Sequence, residues 1–184
     1  ELGFEVAALK YADTLKLAVN QFCNVRFPEL PHEELKPMTT PWGDVTYREA
    51  YIAFSEWFAK RLWGENVFGR IIAREIEQDD GDFFDNDGTQ SIVFIISDCG
   101  FEPEQHPVID VVGDRNYALI QMYRDGYTYD GDSRSYVDPK RGTISAMFNN
   151  QDLEQLAVEV REIVTSIVRT QKWVAREEPQ RTEG

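Results

Sequence analysis

The first segment of the chain carries apolar residues at spacings of three and four. This spacing places them on one face of a helix, and neither proline nor glycine interrupts the pattern after Gly3. The pattern therefore predicts an amphipathic helix over residues 4–22. Its apolar positions are Phe4, Ala8, Tyr11, Leu15, Val19 and Phe22.

A proline-rich stretch separates this segment from the next predicted helix. Residues 27–45 contain four prolines, which helices and central strands tolerate poorly, so we expect an extended connector. The sequence "TYRE", residues 46–49, then has the form of a capping box. Behind it runs an aromatic stripe whose spacing favours core packing over a docking face. The stripe consists of Tyr47, Tyr51, Phe54, Phe58 and Leu62.

Gly64 is a natural end for this second helix. Residues 66–77 suit either a strand or a further helix, and we favour the helix, with Asn66 as its cap.

The character of the chain changes after residue 90. The sequence "SIVFIISD" is apolar on both faces, as central strands are. The sequences "HPVIDVVGD", "NYALIQMYRDG" and "TISAMF" predict further strands, with turn signals at Asp125–Gly126 and Asp130–Gly131. These segments predict a central antiparallel meander of about four to five strands.

The last predicted element is a C-terminal amphipathic helix packed on that sheet. Asn149, Asn150 and Asp152 are good helix starters, and apolar residues follow at helical spacing from Leu153 to Ile167. Helices segregated from strands indicate an α+β fold class, with N-terminal helices preceding the meander, rather than a doubly wound α/β sheet.

The length of 184 residues fits one domain, predicted over 1–175, followed by a polar tail at 176–184. The longest apolar run, Ile92–Ile96, is far shorter than the roughly 20 residues of a membrane-spanning helix. No signal peptide is apparent, and two cysteines, Cys23 and Cys99, are too few for a typical disulfide-stapled secreted domain. We therefore expect a cytoplasmic protein with two reduced, buried thiols.

The net charge of −14, from 33 acidic and 19 basic residues, narrows the classes of partner. It argues against direct nucleic-acid binding and against docking on anionic lipid, because both need a cationic surface. It is compatible with a basic protein partner, with divalent cations, or with solubility alone.

The most acidic stretch is "EQDDGDFFDNDG", residues 77–88. Neither Gly81 nor Gly88 gives an EF-hand register, so only an irregular hard-cation site remains as a metal hypothesis. The two embedded phenylalanines either pin a solvated loop to the core or form an apolar anchor in a charged rim. The partner-binding residues predicted here are Asp79, Asp80, Asp82, Phe83, Phe84, Asp85 and Asp87.

A second acidic and aromatic cluster follows the predicted strands. Tyrosines beside aspartates in a hairpin can bind a basic partner or merely cap the edge of a sheet. The candidate residues are Asp125, Tyr127, Tyr129, Asp130 and Asp132, and the last four are added to the predicted partner-binding set.

Catalytic and cofactor signatures are missing from the sequence. Cys99 precedes His106 by seven residues, but this spacing matches no known nucleophile motif, and Cys99 suits a small buried residue. His32 suits a solvated surface histidine, and two histidines with two cysteines nearly exclude a zinc site. We predict no catalytic residues, no bound metal and no cofactor, and no motif resembles that of a particular family.

Three functional hypotheses remain. The first is a non-enzymatic acidic protein that engages a basic protein partner, as inhibitors, immunity proteins and chaperones do. The second is a divalent-metal-binding domain or metal-dependent enzyme that uses residues 79–87. The third is a structural subunit of a larger assembly such as a phage or secretion particle, with the aromatic stripe as a contact surface.

Overall fold

The computed structural model describes residues 5–23, 31–82, 92–130, 135–138, 140–149 and 153–170. The chain divides into two compact units, which we call the N-terminal unit, residues 1–111, and the C-terminal unit, residues 112–184. The predicted extent of the domain and its polar tail stay predictions, because the structure describes nothing beyond residue 170.

The N-terminal unit consists of helices and one pair of strands. Two four-residue helices and a π-helical turn lie between the longer elements, and the last helix ends at the boundary with the C-terminal unit. In chain order the elements are β1 Glu5–Leu9, α1 Asp13–Phe22, α2 His32–Leu35, α3 Tyr47–Ala53, the π-helical turn Phe54–Ala59, α4 Lys60–Trp63, α5 Val67–Asp82, β2 Ile92–Ile96 and α6 Glu102–Val112.

The predicted helix over residues 4–22 is wrong in its first half. Residues 5–9 form β1, which pairs in parallel with β2, from Glu5 opposite Ile92 to Leu9 opposite Ile96. The alanine-rich sequence of β1 carries little strand propensity of its own, so pairing with a distant apolar strand decides its conformation. Only the second half of the predicted helix is helical, as α1.

The predicted strand in "HPVIDVVGD" is also wrong, because these residues belong to α6. The buried face of α6 consists of Glu104, Gln105, Val108 and Ile109, at helical spacing. Glu104 and Gln105 are polar although they lie on the buried face. The apolar residues alone therefore do not show a helical period in this sequence. The helix also contains Pro107, which removes one backbone hydrogen bond from its interior.

The C-terminal unit contains the other strand pair. Its elements are a 3₁₀ turn at Asp114–Asn116, β3 Ala118–Tyr123, β4 Thr143–Phe148 and α7 Leu153–Thr170. The strands pair in parallel, from Ala118 opposite Thr143 to Tyr123 opposite Phe148, and α7 contacts β4. A connection of 19 residues separates the strands, which is long enough for the crossover that parallel pairing needs.

The predicted central antiparallel meander is therefore wrong. The structure is α+β, with two short parallel two-stranded sheets in the described part of the chain. Strands at "IVFII", "ALIQMY" and "TISAMF", the helix over 66–77 and the C-terminal helix are confirmed. Their local sequence identifies the elements, but it does not encode which strand each one pairs with or in which direction.

The larger described core lies in the N-terminal unit. Helix α1 buries Leu15 and Val19, α3 buries Tyr47 and Tyr51, and the long helix α5 buries a run of apolar residues at helical spacing. The α5 residues are Val67, Phe68, Ile72, Ala73 and Ile76. In the C-terminal unit the described buried apolar residues are Tyr117, Val137 and Met147.

Helix α3 begins at the predicted capping box. The Thr46 hydroxyl accepts a hydrogen bond from the Glu49 amide, and the Glu49 carboxylate accepts one from the Thr46 amide at 2.8 Å. These hydrogen bonds from Thr46 lower the pKa of Glu49. The box satisfies amides that a helix start otherwise leaves without partners.

Candidate functional site

The aromatic stripe that follows the capping box is only half in the core. Tyr47 and Tyr51 are buried as predicted, but Phe58 and Leu62 are exposed. The reason is the π-helical turn at Phe54–Ala59, whose wider turn shifts the residues after it around the helix axis. Ala59 and Lys60 take the buried positions instead.

This shift creates what we call the exposed aromatic surface, formed by Trp57, Phe58, Leu62 and Trp63. The exposed fraction of Trp57 is 79%, and all four residues are large and apolar. The ring of Phe58 lies 4.8 Å from that of Phe54 and 5.5 Å from that of Trp63, centroid to centroid. Exposed apolar residues this large and this close together are typical of interaction sites.

The backbone around the exposed aromatic surface is held in place. The Arg70 guanidinium of α5 donates a hydrogen bond to the Trp63 carbonyl. Gly64, at a φ of 91°, ends α4 as the sequence predicts. The surface is therefore built on helical segments rather than on a long loop, which favours a defined binding geometry.

Lys60 points in the opposite direction, into the N-terminal unit. Its side chain is 2% exposed, and its ammonium group lies 2.7 Å from a Glu56 carboxylate oxygen and 3.9 Å from one of Glu65. The ammonium also lies 3.7 Å from the ring centroid of Phe101. A buried lysine needs such partners, because removing an ammonium group from water without them is very costly.

Glu104 of α6 is the second buried charged residue of this unit, at 3% exposure. Burial, opposed by the charge of Lys60 and assisted by the carboxylates of Asp98, Glu56 and Glu65, raises the pKa of its carboxyl group to about 7. Lys60 and Glu104 are buried, whereas the Glu56 and Glu65 side chains are 39% and 70% exposed; we call these four residues and Asp98 the charge cluster. Glu104 is thus partly protonated at neutral pH.

The carboxyl ends of the parallel strands β1 and β2 meet beside this cluster. The Asp98 carboxylate, just after β2, accepts hydrogen bonds from the amides of Tyr11 at 2.7 Å and Ala12 at 3.0 Å. It therefore holds the turn that leads from β1 into α1, from a position more than 80 residues away in the chain.

Cys99 follows Asp98 in the chain and does not have the environment of a nucleophile. Burial, with smaller contributions from Glu104 and Asp98, raises the pKa of its thiol to about 12, although the Phe101 amide and the Tyr11 side chain hydrogen-bond to it. His106 is not among the groups that dominate its surroundings. The thiol stays protonated at neutral pH, which supports the unreactive interpretation, but Cys99 is half-buried rather than buried.

The predicted acidic loop is only partly described. Helix α5 continues to Asp82, so Asp79, Asp80 and Asp82 occupy its last turn rather than a loop. That turn contains no basic residue. Phe83, Phe84, Asp85 and Asp87 lie outside the described residues, so their predicted role stays a prediction.

The second predicted cluster, in the C-terminal unit, is organised around tyrosine rings. Tyr136 stacks on Tyr123 at 4.2 Å and meets Tyr129 edge-on at 5.0 Å. Tyr127 is exposed, with the Arg124 guanidinium 4.5 Å from its ring centroid.

Two aspartates complete this cluster. The Asp130 amide donates to the Thr128 hydroxyl in a local turn, while Asp132 lies outside the described residues. The Tyr129 ring therefore contacts another tyrosine ring, whereas Tyr127 is exposed.

Two further features of the structure concern metal ligation and membrane spanning. Within the described ranges, no group of three or more histidine, cysteine, aspartate or glutamate side chains is arranged to hold a metal ion. Because Asp85 and Asp87 fall outside those ranges, the metal hypothesis for residues 79–87 stays a prediction. No helix in the described part of the chain is long and apolar enough to cross a bilayer.

Sequence reasoning missed Lys60, Glu104 and Asp98, although each left a trace. Lys60 interrupts an aromatic helix at a position that only the π-helical turn makes internal. Glu104 lies four residues before Val108, at the spacing of one helix face. Asp98 gives no local signal, because its partners are distant in the chain.

Comparison of the chain with protein-family models, with curated proteins and with solved structures finds no significant match.

Proposed function

We propose that the protein is a non-enzymatic binding protein that engages a basic protein partner through its N-terminal unit. The observation that carries this proposal is the exposed aromatic surface on a unit with a large negative charge. Trp57 and Trp63 are residue types that dominate binding energy when an interface buries them.

The charge of the protein is concentrated in the same unit. The N-terminal unit contains 21 acidic and 9 basic residues, a formal charge of −12, whereas the C-terminal unit contains 12 and 10, a charge of −2. A field of one sign accelerates encounter with a partner of the opposite sign and makes that encounter sensitive to salt. The partner that fits is therefore basic.

The end of α5 supports the same choice of partner. The sequence of its last turn contains Asp79, Asp80 and Asp82 and no basic residue. An acidic stretch of this kind favours a partner that carries lysine or arginine. The other predicted partner-binding residues, including Tyr127 and Asp130, stay part of the proposal.

The proposal is tested by capture of partners on the purified full chain at low and at high salt. The aromatic bait carries Trp57→Ala with Trp63→Ala. The acidic bait carries aspartate-to-asparagine changes at Asp79, Asp80, Asp82, Asp85 and Asp87. We expect a basic protein that binds the unmodified chain, elutes at high salt and binds each altered bait at least roughly tenfold more weakly.

Matched controls lie in the C-terminal unit. Leu153, at the start of α7, is 82% exposed, so Leu153→Ala removes an equally accessible apolar side chain without touching the N-terminal unit. Glu154→Gln with Glu162→Gln removes charge from two exposed positions of α7 that belong to neither predicted cluster. A partner that ignores both altered baits, or that is lost equally from the Leu153→Ala control, contradicts the proposal.

The exposed aromatic surface also fits the hypothesis of a subunit in a larger assembly. In that case the surface would contact neighbouring subunits, including copies of the same chain. Light scattering at high concentration tests the version with identical copies. Self-association that the Trp57→Ala and Trp63→Ala changes abolish would favour it over the basic partner.

A further inference from the structure

Strand β1 pairs on one side only within the described part of the chain, where its sole neighbour is β2. The Leu9 carbonyl accepts a hydrogen bond from the Ser97 amide, so the backbone groups of Leu9 are directed towards β2. This direction alternates along a strand, so Ala7 also faces β2, whereas the amides and carbonyls of Val6 and Ala8 point to the open edge. Such an edge offers hydrogen bonds to a further strand.

The side chains at this edge are apolar and exposed. Val6 is 57% exposed, and Ala8 is exposed as well. The register places Val6 beside Val93 and Ala8 beside Ile95. Ile95 is 49% exposed, so one face of this parallel sheet is open, although parallel sheets are usually covered on both faces. Neither lysine nor proline lies within β1 to block the approach of another strand.

The charges at the two ends of β1 favour a second copy of the chain as that strand. The strand begins at Glu5, which is negative, and Lys10, which is positive, follows it, with no charge between them. Antiparallel pairing of two copies brings the negative end of each strand to the positive end of the other, whereas parallel pairing brings like charges together. A basic partner is not favoured at this edge, because residues 6–9 contain no carboxylate.

We propose that the protein forms a dimer in which β1 pairs antiparallel with β1 of a second copy, about a two-fold axis at Ala7. This register is the one that pairs all five residues of the strand. It sets Glu5 opposite Leu9, and Val6 opposite Ala8, of the second copy. Val6 and Ala8 then exchange the hydrogen bonds of their outward groups, and the two Ala7 residues form a non-hydrogen-bonded pair. The interface is isologous and joins two two-stranded sheets into one of four strands.

Sedimentation of the full chain over about 10 μM to about 1 mM tests for the dimer, since an interface of one short strand is small and therefore weak. We expect the mass to rise toward twice that of the monomer. Higher salt should favour association, because each copy carries a net charge of −14 and salt screens the repulsion between them. A chain that stays monomeric over the whole range, at low and at high salt, would overturn the proposal.

Cysteine cross-linking tests the register. Non-hydrogen-bonded pairs lie about 4.5 Å apart between Cα atoms, within reach of a disulfide, so Ala7→Cys should give a covalent dimer with oxidised glutathione. Ala8→Cys is the matched control: Ala8 is the more exposed residue, yet its two copies would be separated by more than roughly 7 Å, beyond the reach of a disulfide. The unmodified chain gives the background from Cys23 and Cys99. Equal yields from the two variants, or a larger yield from Ala8→Cys, contradict the proposed pairing.

Proline substitutions distinguish the open edge from the paired one. Ala8→Pro removes an amide that points away from β2, so it should leave the urea midpoint nearly unchanged and weaken dimerisation by at least roughly tenfold. Ala7→Pro removes an amide directed at β2 and should lower the midpoint. An Ala8→Pro variant that folds and dimerises as the unmodified chain does refutes the proposal. If that variant fails to fold, the two cysteine variants decide.

This proposal and the proposed function fail separately. Trp57→Ala with Trp63→Ala should leave dimerisation unchanged, because both residues lie outside β1, so a dimer abolished by these changes overturns the β1 interface. Capture of a partner that these changes leave intact removes the proposed function, whatever the dimer does. A chain that stays monomeric, but whose Ala8→Pro variant captures that partner more weakly, assigns the edge to a strand of the partner and overturns the second copy as its occupant.

Discussion

In the C-terminal unit, tyrosine rings of β3 and of the loop after it pack against one another. In the N-terminal unit, the aromatic side chains of residues 57–63 are exposed to solvent, although Phe58 contacts Trp63. Tyr136 has ring contacts with both Tyr123 and Tyr129. Trp57, by contrast, is 79% exposed. The two groups would look alike by composition, yet one stabilises its own unit and the other is available to a partner.

The two units also differ in net charge and in whether their charged side chains are exposed or buried. The C-terminal unit is nearly neutral, and its Arg141 pairs with Asp114 at 2.7 Å where both side chains are partly exposed. The N-terminal unit carries most of the negative charge, and two of its charged residues, Lys60 and Glu104, are buried. Surface pairs contribute little to stability, whereas a buried cluster makes stability depend on protonation.

The largest effect is expected where the N-terminal unit packs most closely. Gly69→Ala would place a methyl group 2.0 Å from the Glu104 carbonyl oxygen, so α5 and α6 would have to separate. We expect a loss of about 3 kcal/mol or more in the free energy of unfolding, measured with urea. Gly43→Ala, at a φ of 137° with open space around it, is the control and should cost about 1 kcal/mol. Equal losses would show that the contact is not restrictive.

The next largest effect concerns how the free energy of unfolding depends on pH through Glu104 of the N-terminal unit. The pKa of Glu104 rises from an ordinary 4.5 to about 7 on folding, so the folded state binds this proton more tightly. Its stabilising contribution is complete below about pH 4.5 and is lost as the pH rises through 7. From about pH 5 to about pH 8 the free energy of unfolding should therefore fall by up to about 3 kcal/mol.

Glu104→Gln provides the comparison for that measurement. The variant cannot ionise at this position, so it should lack this part of the pH dependence and be more stable than the unmodified chain at about pH 8. Urea unfolding followed by tryptophan fluorescence measures both. Identical pH dependence in the two proteins would show that Glu104 does not titrate between these values.

A smaller effect tests the contrast between the aromatic groups directly. Tyr136→Ala removes contacts with two rings and should destabilise the C-terminal unit by about 1 to 2 kcal/mol. Trp57→Ala removes a larger but exposed ring and should change stability by less than about 0.5 kcal/mol. If Trp57→Ala proves the more destabilising, that ring belongs to the core and the proposed binding surface loses an anchor.

The smallest effect concerns the start of the helix that leads to the exposed aromatic surface. Thr46→Ala removes the hydroxyl that accepts from the Glu49 amide, and it should cost about 1 kcal/mol in urea unfolding. Thr46→Ser retains the hydroxyl and should recover most of the loss. A loss that serine does not recover would indicate that the methyl group, rather than the cap, matters.

Features that depend on neighbouring residues were predictable from the sequence. The capping box at Thr46, the end of α4 at Gly64 and the helix at Leu153–Thr170 are set by local hydrogen bonding, backbone freedom and apolar periodicity. The strand at Ile92–Ile96 follows from its β-branched, apolar composition. The negative charge and the acidic end of α5 are likewise properties of the sequence alone.

Features that depend on distant partners were decided only by the tertiary structure. Residues 5–9 form a strand because β2 pairs with them, and Asp98 accepts hydrogen bonds from the turn before α1, more than 80 residues away. Glu104 is buried because α5 approaches it at Gly69.

The candidate site divides in the same way. The sequence contains the aromatic residues, but the π-helical turn at Phe54–Ala59 determines that Trp57 and Phe58 face solvent while Lys60 faces the core. Apolar periodicity assumes a regular helix, so a single wider turn reverses which residues are buried. Composition and local pattern thus determined the elements and the charge, whereas long-range packing determined strand pairing, burial and the exposed surface.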